Sequence, residues 1–327
     1  MFKAILVSDS EGQHQADLVR LDNEALPPGD VLVQVDYSSL NFKDALAVTG
    51  KGKIIRHFPL VPGVDLAGTV LQPGTSAYAE GDAVVLTGWD TGVSHFGGFS
   101  QRARVPADWL VPLADGLSLK QAMALGTAGV TAMLSILELE EAGVTADSGT
   151  VVVTGASGGV GSIAIALLSA LGYQVAAVTG RSSNHDYLYR LGAREIVDRT
   201  DMEVESRPLE KQRWAGAIDT VGGPILSRIL AETAEPGAVA CCGLAANAQL
   251  TTTVMPFILR GIRLIGIESV RCPRERRLQV WNRLAATMPL QLLDGLTETT
   301  SLESVGSCAE KLLAGQVTGR IVVDLNR

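Results

Sequence analysis

Cysteine and histidine are scarce in this chain, and their placing excludes more than their number does. The four cysteines, Cys241, Cys242, Cys272 and Cys308, form no CxxC pair, and His14, His57, His95 and His185 stand apart. A structural zinc site needs closely spaced thiolate and imidazole ligands, so none is expected. A disulfide framework is not expected either; Cys241 and Cys242 follow Ala238 to Ala240 and read as buried strand, where cysteine is a small hydrophobe. Positive charge is also short. The 27 Lys and Arg against 35 Asp and Glu leave a net charge of −8, which argues against nucleic acid or an anionic membrane as the main partner. A small anion can still be bound by a local basic cluster. No apolar run is read as approaching the length of a bilayer span, and Met1 to Asp9 lacks the layout of a signal peptide, so a cytoplasmic protein is expected.

Glycine and apolar residues are abundant instead, with 35 glycines and 46% hydrophobic residues, the composition of a compact α/β protein. A length of 327 residues exceeds most single cores, so two domains are expected. The first third reads as short strands punctuated by glycine and proline: Ala4 to Val7, Val31 to Tyr37, Asp65 to Val70, Ala83 to Thr87 and Gly98 to Val105. From Ser118 the pattern becomes helical. Strand and helix then alternate through residues 150–154, 162–171, 174–178, 184–191, 195–197, 216–221, 224–234, 238–242 and 262–268. Such alternation marks a doubly wound parallel sheet. Arg320 to Asp324 is one more strand, after a helix through Ala309 to Ala314. The expected organisation is a β-rich domain over 1–122, a Rossmann domain over 123–295 and a return to the first domain over 296–327. A ligand is expected in the cleft between them, at the carboxyl ends of the parallel strands.

The stretch Thr150 to Gly161 runs from a β-branched strand through a glycine turn into an apolar helix. In that context small residues let the backbone approach a pyrophosphate, which the helix N-terminus then binds. The strict GxGxxG pattern is broken at Ala156, leaving Gly158 and Gly161, with Ser157, Gly159 and Val160 completing the turn. Roughly 20 residues further on, an NAD enzyme would place a carboxylate for the ribose hydroxyl. Thr179, Gly180 and Arg181 stand there, followed by Ser182 and Ser183. A guanidinium forks onto a phosphate, so NADPH is the expected cofactor.

Together, Ser38 to Leu46, Gly50 to Lys53, Pro62 to Gly68, Leu86 to Trp89, Gly126 to Gly129, Thr154 to Gly161, Ala217 to Gly222 and Thr253 to Leu259 resemble the medium-chain dehydrogenase/reductase superfamily. Within it they resemble the acrylyl-CoA reductase, quinone-oxidoreductase-like branch. The resemblance covers essentially the whole chain and implies a Rossmann sheet inserted into a GroES-like β-rich catalytic domain. The superfamily's zinc enzymes carry an early catalytic cysteine and a Gly-His-Glu segment. The corresponding places here hold Asn41 and Gly63, Val64 and Asp65, so zinc-alkoxide chemistry is not expected.

What the resemblance implies is metal-free reduction of a C=C bond conjugated to a carbonyl, converting acrylyl-CoA to propanoyl-CoA. Asn41 is the catalytic candidate, its amide able to donate to a carbonyl or to orient a ribose hydroxyl. Phe42 stands where many relatives have tyrosine, and its ring can pack on the cofactor. Lys43 and Asp44 are expected to form an ion pair supporting the loop, with proton transfer as their alternative use, and the α-proton to come from water. Position adds Leu244, Arg199, Ile258, Ser269 and Gly315 as cofactor contacts, with ordinary loop and dimer packing as their alternative use. Two basic clusters are candidates for the phosphates of an acyl-CoA: Lys51, Lys53 and Arg56 in one loop, and Arg271, Arg274, Arg276 and Arg277 in another. An NADPH quinone reductase and a non-catalytic NADPH-binding sensor are the competing readings. The strand from Arg263 to Val270 would leave an open edge, which a homodimer would pair.

Overall fold

The computed structural model describes residues 1–327, the side chain of Ser10 excepted. The chain forms two compact units. One comprises Met1–Thr127, Ser269–Ala286 and Leu293–Arg327; the other comprises Ala128–Glu268 and Thr287–Leu292.

The first unit opens with an antiparallel hairpin, β1 (Phe2–Ser10) and β2 (Gln13–Leu21). The sequence reading anticipated only its centre at Ala4 to Val7. The missed strand β2 is mostly exposed, so it lacks the apolar alternation of a half-buried strand. Then follow β3 (Val31–Leu40), α1 (Phe42–Thr49), β4 (Asp65–Gln72), β5 (Ala83–Thr87), β6 (Arg102–Val105), β7 (Val111–Pro112) and the helix α2 (Leu119–Glu141), along which the chain passes to the second unit. Contrary to expectation, α2 is long and apolar enough to cross a bilayer, but 89% of that stretch is buried inside the protein. The helix also breaks at Gly126 (φ 50, ψ −153).

The second unit alternates strand and helix: β8 (Thr150–Val153), α3 (Gly159–Ala170), β9 (Gln174–Thr179), α4 (His185–Arg190), β10 (Glu195–Asp198), α5 (Arg199–Glu203), β11 (Trp214–Asp219), α6 (Gly223–Glu232), β12 (Thr233–Cys241), α7 (Met255–Arg260) and β13 (Arg263–Gly266). Its six strands are parallel, in the order β10-β9-β8-β11-β12-β13. The winding direction reverses between β8 and β11, and ligands of such sheets bind beyond the carboxyl ends of the strands at that point. Those ends are Val153 and Asp219. The buried side chains of Val152, Val178, Ala217, Ile229 and Val239 form the core around them.

The chain then returns through α8 (Arg274–Thr287), α9 (Leu290–Gly295), β14 (Thr297–Ser301), α10 (Val305–Leu313) and β15 (Arg320–Asp324). In the first unit's main sheet the order is β14-β15-β3-β4-β5-β7, with β6 also on β3. Ile321 of β15 pairs with Leu40 of β3, which brings the final strand beside Asn41. Residues 269–286 differ from the sequence reading, which placed them in the nucleotide domain and read Arg271 to Arg277 as a loop. They cluster with the first unit because Arg277, only 1% exposed, donates to the carbonyl and hydroxyl of Thr87, each at 2.7 Å. Arg277 is thereby corrected from a CoA candidate to a buried brace within that unit.

Candidate functional site

The turn after β8 is built so that backbone can face a ligand. The tight-turn glycine is Gly155 (φ 57), one residue before the position where the strict motif failed at Ala156. A Cβ on Gly155 would lie 2.1 Å from Thr220 Oγ1. Gly158 caps α3, and a Cβ on Gly161 would lie 2.4 Å from the Gly155 carbonyl oxygen, so the helix packs onto the turn as closely as backbone allows. The first N–H groups of α3 lack intrahelical partners, and no acidic residue occupies its first turn.

A buried network ties this turn to the end of β11. The Thr154 hydroxyl donates to Asp219 Oδ1 (2.7 Å), and Gly222 N–H donates to Asp219 Oδ2 (2.8 Å). Thr220 N–H donates to Thr154 Oγ1, and the Thr220 hydroxyl to the Thr154 carbonyl, both at 2.9 Å. Burial raises the Asp219 carboxyl above its ordinary range, against these hydrogen bonds. Burial, and then the charge of Asp219, push the neighbouring Cys242 thiol up to about 12, so it carries no thiolate chemistry at neutral pH. Nothing in the spacing of Thr154 and Asp219 announced this pairing, because 65 residues separate them.

Arg181 follows β9 and is oriented by this same turn. Its Nη2 donates to Ser157 Oγ at 3.0 Å, and its Nε and Nη2 lie 3.1 Å from the amide oxygen of Asn184, which also accepts from the Ser157 hydroxyl. These partners are neutral oxygens, so they aim the guanidinium without cancelling its charge. Asn184 is 7% exposed, and no signal in the sequence marks it, because an asparagine in a polar segment has the same composition whatever it touches. Thr179 is buried at the end of β9, and its hydroxyl accepts from Arg181 N–H at 3.3 Å. The guanidinium of Arg199 lies beside Gly180, its Nε 3.1 Å from where a Cβ would sit, and pairs with Glu203 at 3.3 Å.

Leu244 and Ile258 of the second unit are 67% and 71% exposed, large apolar side chains with contact area to offer. Ser269 and Gly315 belong to the first unit. The Ser269 carbonyl accepts from Arg277, and Gly315 (φ 68) caps α10 through its N–H to Leu312.

In the first unit the sheet assembles a buried polar cluster around Asn41, the N-cap of α1. Asn41 Nδ2 donates to Asp65 Oδ2 (2.9 Å) and Asp44 Oδ2 (3.0 Å) and lies 3.2 Å from Ser39 Oγ. Its Oδ1 accepts from Arg320 Nη1 at 3.1 Å. Asp65 further accepts from the Ser39 hydroxyl, Thr127 N–H and the Thr127 hydroxyl. Asp44 accepts from Val64 N–H and Asn41 N–H, both at 2.9 Å. The expected Lys43–Asp44 ion pair is therefore replaced: Asp44 is 1% exposed and turned into the cluster, out of reach of a solvated ammonium. Burial, and then the charge of Asp65, raise Asp44 to about 7. Both N–H groups of the Asn41 amide face carboxylates, so what it has left to offer a ligand is the second lone pair of Oδ1. Phe42, next in the chain, is 48% exposed.

Of the basic candidates, Lys53 and Arg56 are exposed. Lys51 pairs with Glu310, Arg271 with Asp90 at 3.4 Å, and Arg274 reaches the Tyr78 hydroxyl at 3.5 Å. All five belong to the first unit.

Residues 27–115 match the alcohol dehydrogenase GroES-like domain family, and residues 159–286 match the zinc-binding dehydrogenase family. The chain is 52% identical over 324 residues to an Escherichia coli (strain K12) protein named "Probable acrylyl-CoA reductase AcuI", covering 99% of this chain and 100% of that one. It is 49% identical to acrylyl-CoA reductase AcuI of Ruegeria pomeroyi, over the full length of both. Among solved structures it resembles Escherichia coli K-12 YHDH with bound NADPH (52% identity, TM-score 0.97, 99% and 100% covered). It also resembles Bacillus subtilis yhfP with NAD bound (42% identity, TM-score 0.95, 99% of each covered). The name of the second family implies zinc, and the residues here do not fit it. At that place Asp65 and Asp44 are already taken up by the N–H groups of Asn41, Arg320 sets a cation beside them, and among the described residues no three His, Cys, Asp or Glu side chains group to hold a metal. With both domain families matched and half of its residues shared end to end, the chain belongs to the acrylyl-CoA reductase, quinone-oxidoreductase-like branch of the medium-chain dehydrogenase/reductase superfamily.

Proposed function

We propose that this protein reduces the conjugated C=C bond of acrylyl-CoA with NADPH, without a metal, giving propanoyl-CoA and NADP⁺. The observation that carries the reading is the end-to-end likeness to proteins named acrylyl-CoA reductase. The oriented guanidinium of Arg181 supports the choice of phosphorylated cofactor. On this reading the turn from Ser157 to Gly161 and the first N–H groups of α3 receive the pyrophosphate, and Arg181 with Thr179 and Gly180 receives the 2′-phosphate. Arg199 covers the adenine, while Phe42, Leu244 and Ile258 offer apolar contact. Bound, the reduced nicotinamide supplies a hydride to the β-carbon of the substrate.

The chain's own part is to bind, orient and stabilise. Asn41 is the proposed catalytic contact, a rigid amide held by three ionisable side chains. Water delivers the proton to the α-carbon. Lys51, Lys53, Arg56, Arg271 and Arg274 are proposed to meet the CoA phosphates. Their ion pairs with Glu310 and Asp90 are exposed and individually worth little, so a phosphate can displace them. The strand β13 ends the second unit's sheet and pairs with β12 alone, which supports a homodimer joined along that edge. Four cysteines with no CxxC pair among them suit a cytoplasmic setting.

The experiment is NADPH consumption by the purified protein with acrylyl-CoA, crotonyl-CoA and a simple quinone in parallel, the thioester product identified by mass. Fast turnover of acrylyl-CoA with propanoyl-CoA formed is expected. Turnover of the quinone alone would make the protein a quinone reductase, and turnover of none would make it a nucleotide-binding protein.

A further inference from the structure

The cluster around Asn41 has an unequal charge count. Two carboxylates, Asp44 (1% exposed) and Asp65 (0%), face one guanidinium, Arg320 (3%). Ionised carboxylates only accept and guanidinium only donates, so with Asp44 and Asp65 ionised the Asn41 amide has a single orientation in which neither end meets its own kind. Arg320 determines the oxygen end. Its Nη1 donates to Asn41 Oδ1, and its own pose is held by Nε donating to the Ala124 carbonyl at 2.8 Å. Its Nη2 is buried without a hydrogen-bond partner, so the guanidinium is kept there against a desolvation cost. Burial pulls Arg320 below its ordinary value, while the charges of Asp65 and Asp44 pull it back. The charged groups acting on Asp44 are in turn Asp65 and Arg320.

We infer that Arg320 is a positioning residue: it fixes the direction of the Asn41 amide and sets the charge balance that keeps it fixed. Without the guanidinium, a carboxyl that retains its proton becomes an O–H donor able to bond Asn41 Oδ1, and the amide is free to turn. The kinetic part of the test rests on the proposed reductase reading; the spectroscopic part does not.

The chain holds six asparagines, so [¹⁵N]asparagine labelling yields few enough side-chain signals to follow, with the Asn41 pair identified by its loss in Asn41→Ala. In the wild type the Asn41 amide protons should exchange at least about tenfold more slowly than those of exposed Asn247, because carboxylates hold both. Their shift should titrate with pH. Arg320→Gln removes the charge and should move that titration up by roughly one unit. Arg320→Lys keeps the charge but loses the fork, so the titration should stay within about half a unit. In that variant kcat should fall about tenfold or more while KM for the thioester stays within about twofold, as expected when charge-assisted bonds to a positioned group are lost.

Unchanged Asn41 signals and unchanged kcat in folded Arg320→Lys and Arg320→Gln would overturn the inference, as would a loss expressed wholly in KM. Should neither variant fold, fast exchange of the Asn41 protons in the wild type would overturn it by itself. A wild type that does not turn over acrylyl-CoA would refute the reductase reading, leaving exchange and titration to decide the role of Arg320.

Discussion

Replacing Arg181 with alanine removes a guanidinium that Ser157 and Asn184 already hold in place. Because it is pre-oriented, little ordering entropy is spent when a phosphate arrives, and most of the interaction appears as affinity. A charge-assisted hydrogen bond lost to a phosphate costs about 1.5–3 kcal/mol. At about 1.4 kcal/mol per factor of ten, NADPH should bind roughly 10- to 150-fold more weakly to the variant. NADH, with no 2′-phosphate, should change by less than about twofold, since neither the turn nor α3 is touched. Titration of each reduced cofactor into wild type and variant, read from nucleotide fluorescence, measures the difference directly. Salt should weaken NADPH binding to the wild type more than to the variant, because the phosphate–guanidinium attraction is what it screens. Equal losses for the two cofactors would mean that Arg181 supports the loop instead. A wild type that prefers NADH would refute the cofactor assignment.

Three further outcomes are expected. Asp44 is raised to about 7 from 3.8, so the folded protein holds a proton that the unfolded chain releases; the stability this supplies is full below pH 3.8 and is lost as pH rises through about 7. Asp44→Asn should therefore flatten the decline of Tm across that window, and an unaltered Tm–pH profile in calorimetry would contradict the assignment. Gly161→Ala places a methyl 2.4 Å from the Gly155 carbonyl oxygen and should cost about 1–3 kcal/mol of stability, with NADPH affinity falling as the turn shifts; an unchanged denaturation midpoint would show that the helix can retreat. Lys53→Glu with Arg56→Glu should raise KM for acrylyl-CoA by about tenfold and leave quinone or NADPH kinetics alone, whereas equal effects on all three would remove this loop from CoA binding.

The alternation of strands and helices through residues 150–268 was legible because the buried parallel strands are short runs of apolar and small residues, β-branched throughout in Thr150 to Val153, set between helical patterns. The exposed strand β2 and the short strand β14 were not, since Gln13 to Leu21 and Thr297 to Ser301 carry no apolar alternation. The glycine turn was readable in kind but misread in detail, as Gly155 does the work sought at position 156. Arg181 could be singled out by its distance along the chain from the turn. Asn184, which orients it, could not, because a lone asparagine in a polar loop has the same composition whatever it touches.

Local pattern by itself therefore determined what depends on neighbours in the chain: the class of fold, the nucleotide turn and the residue expected to meet a phosphate; the family came from the resemblance of segments spread along the whole chain. Contacts between distant segments were decided only by the tertiary structure. Pairing Ile321 with Leu40 carries Arg320 to Asn41 across 279 residues, and the start of β4 brings Asp65 to Ser39 and Thr127. It turns Asp44 inward, away from its sequence neighbour Lys43, and it takes Arg277 out of a basic surface cluster to bind Thr87. The physical reason is common to all of these. A buried charge persists only where partners satisfy it, and those partners come from whichever segments the sheet register brings together, which no local pattern records.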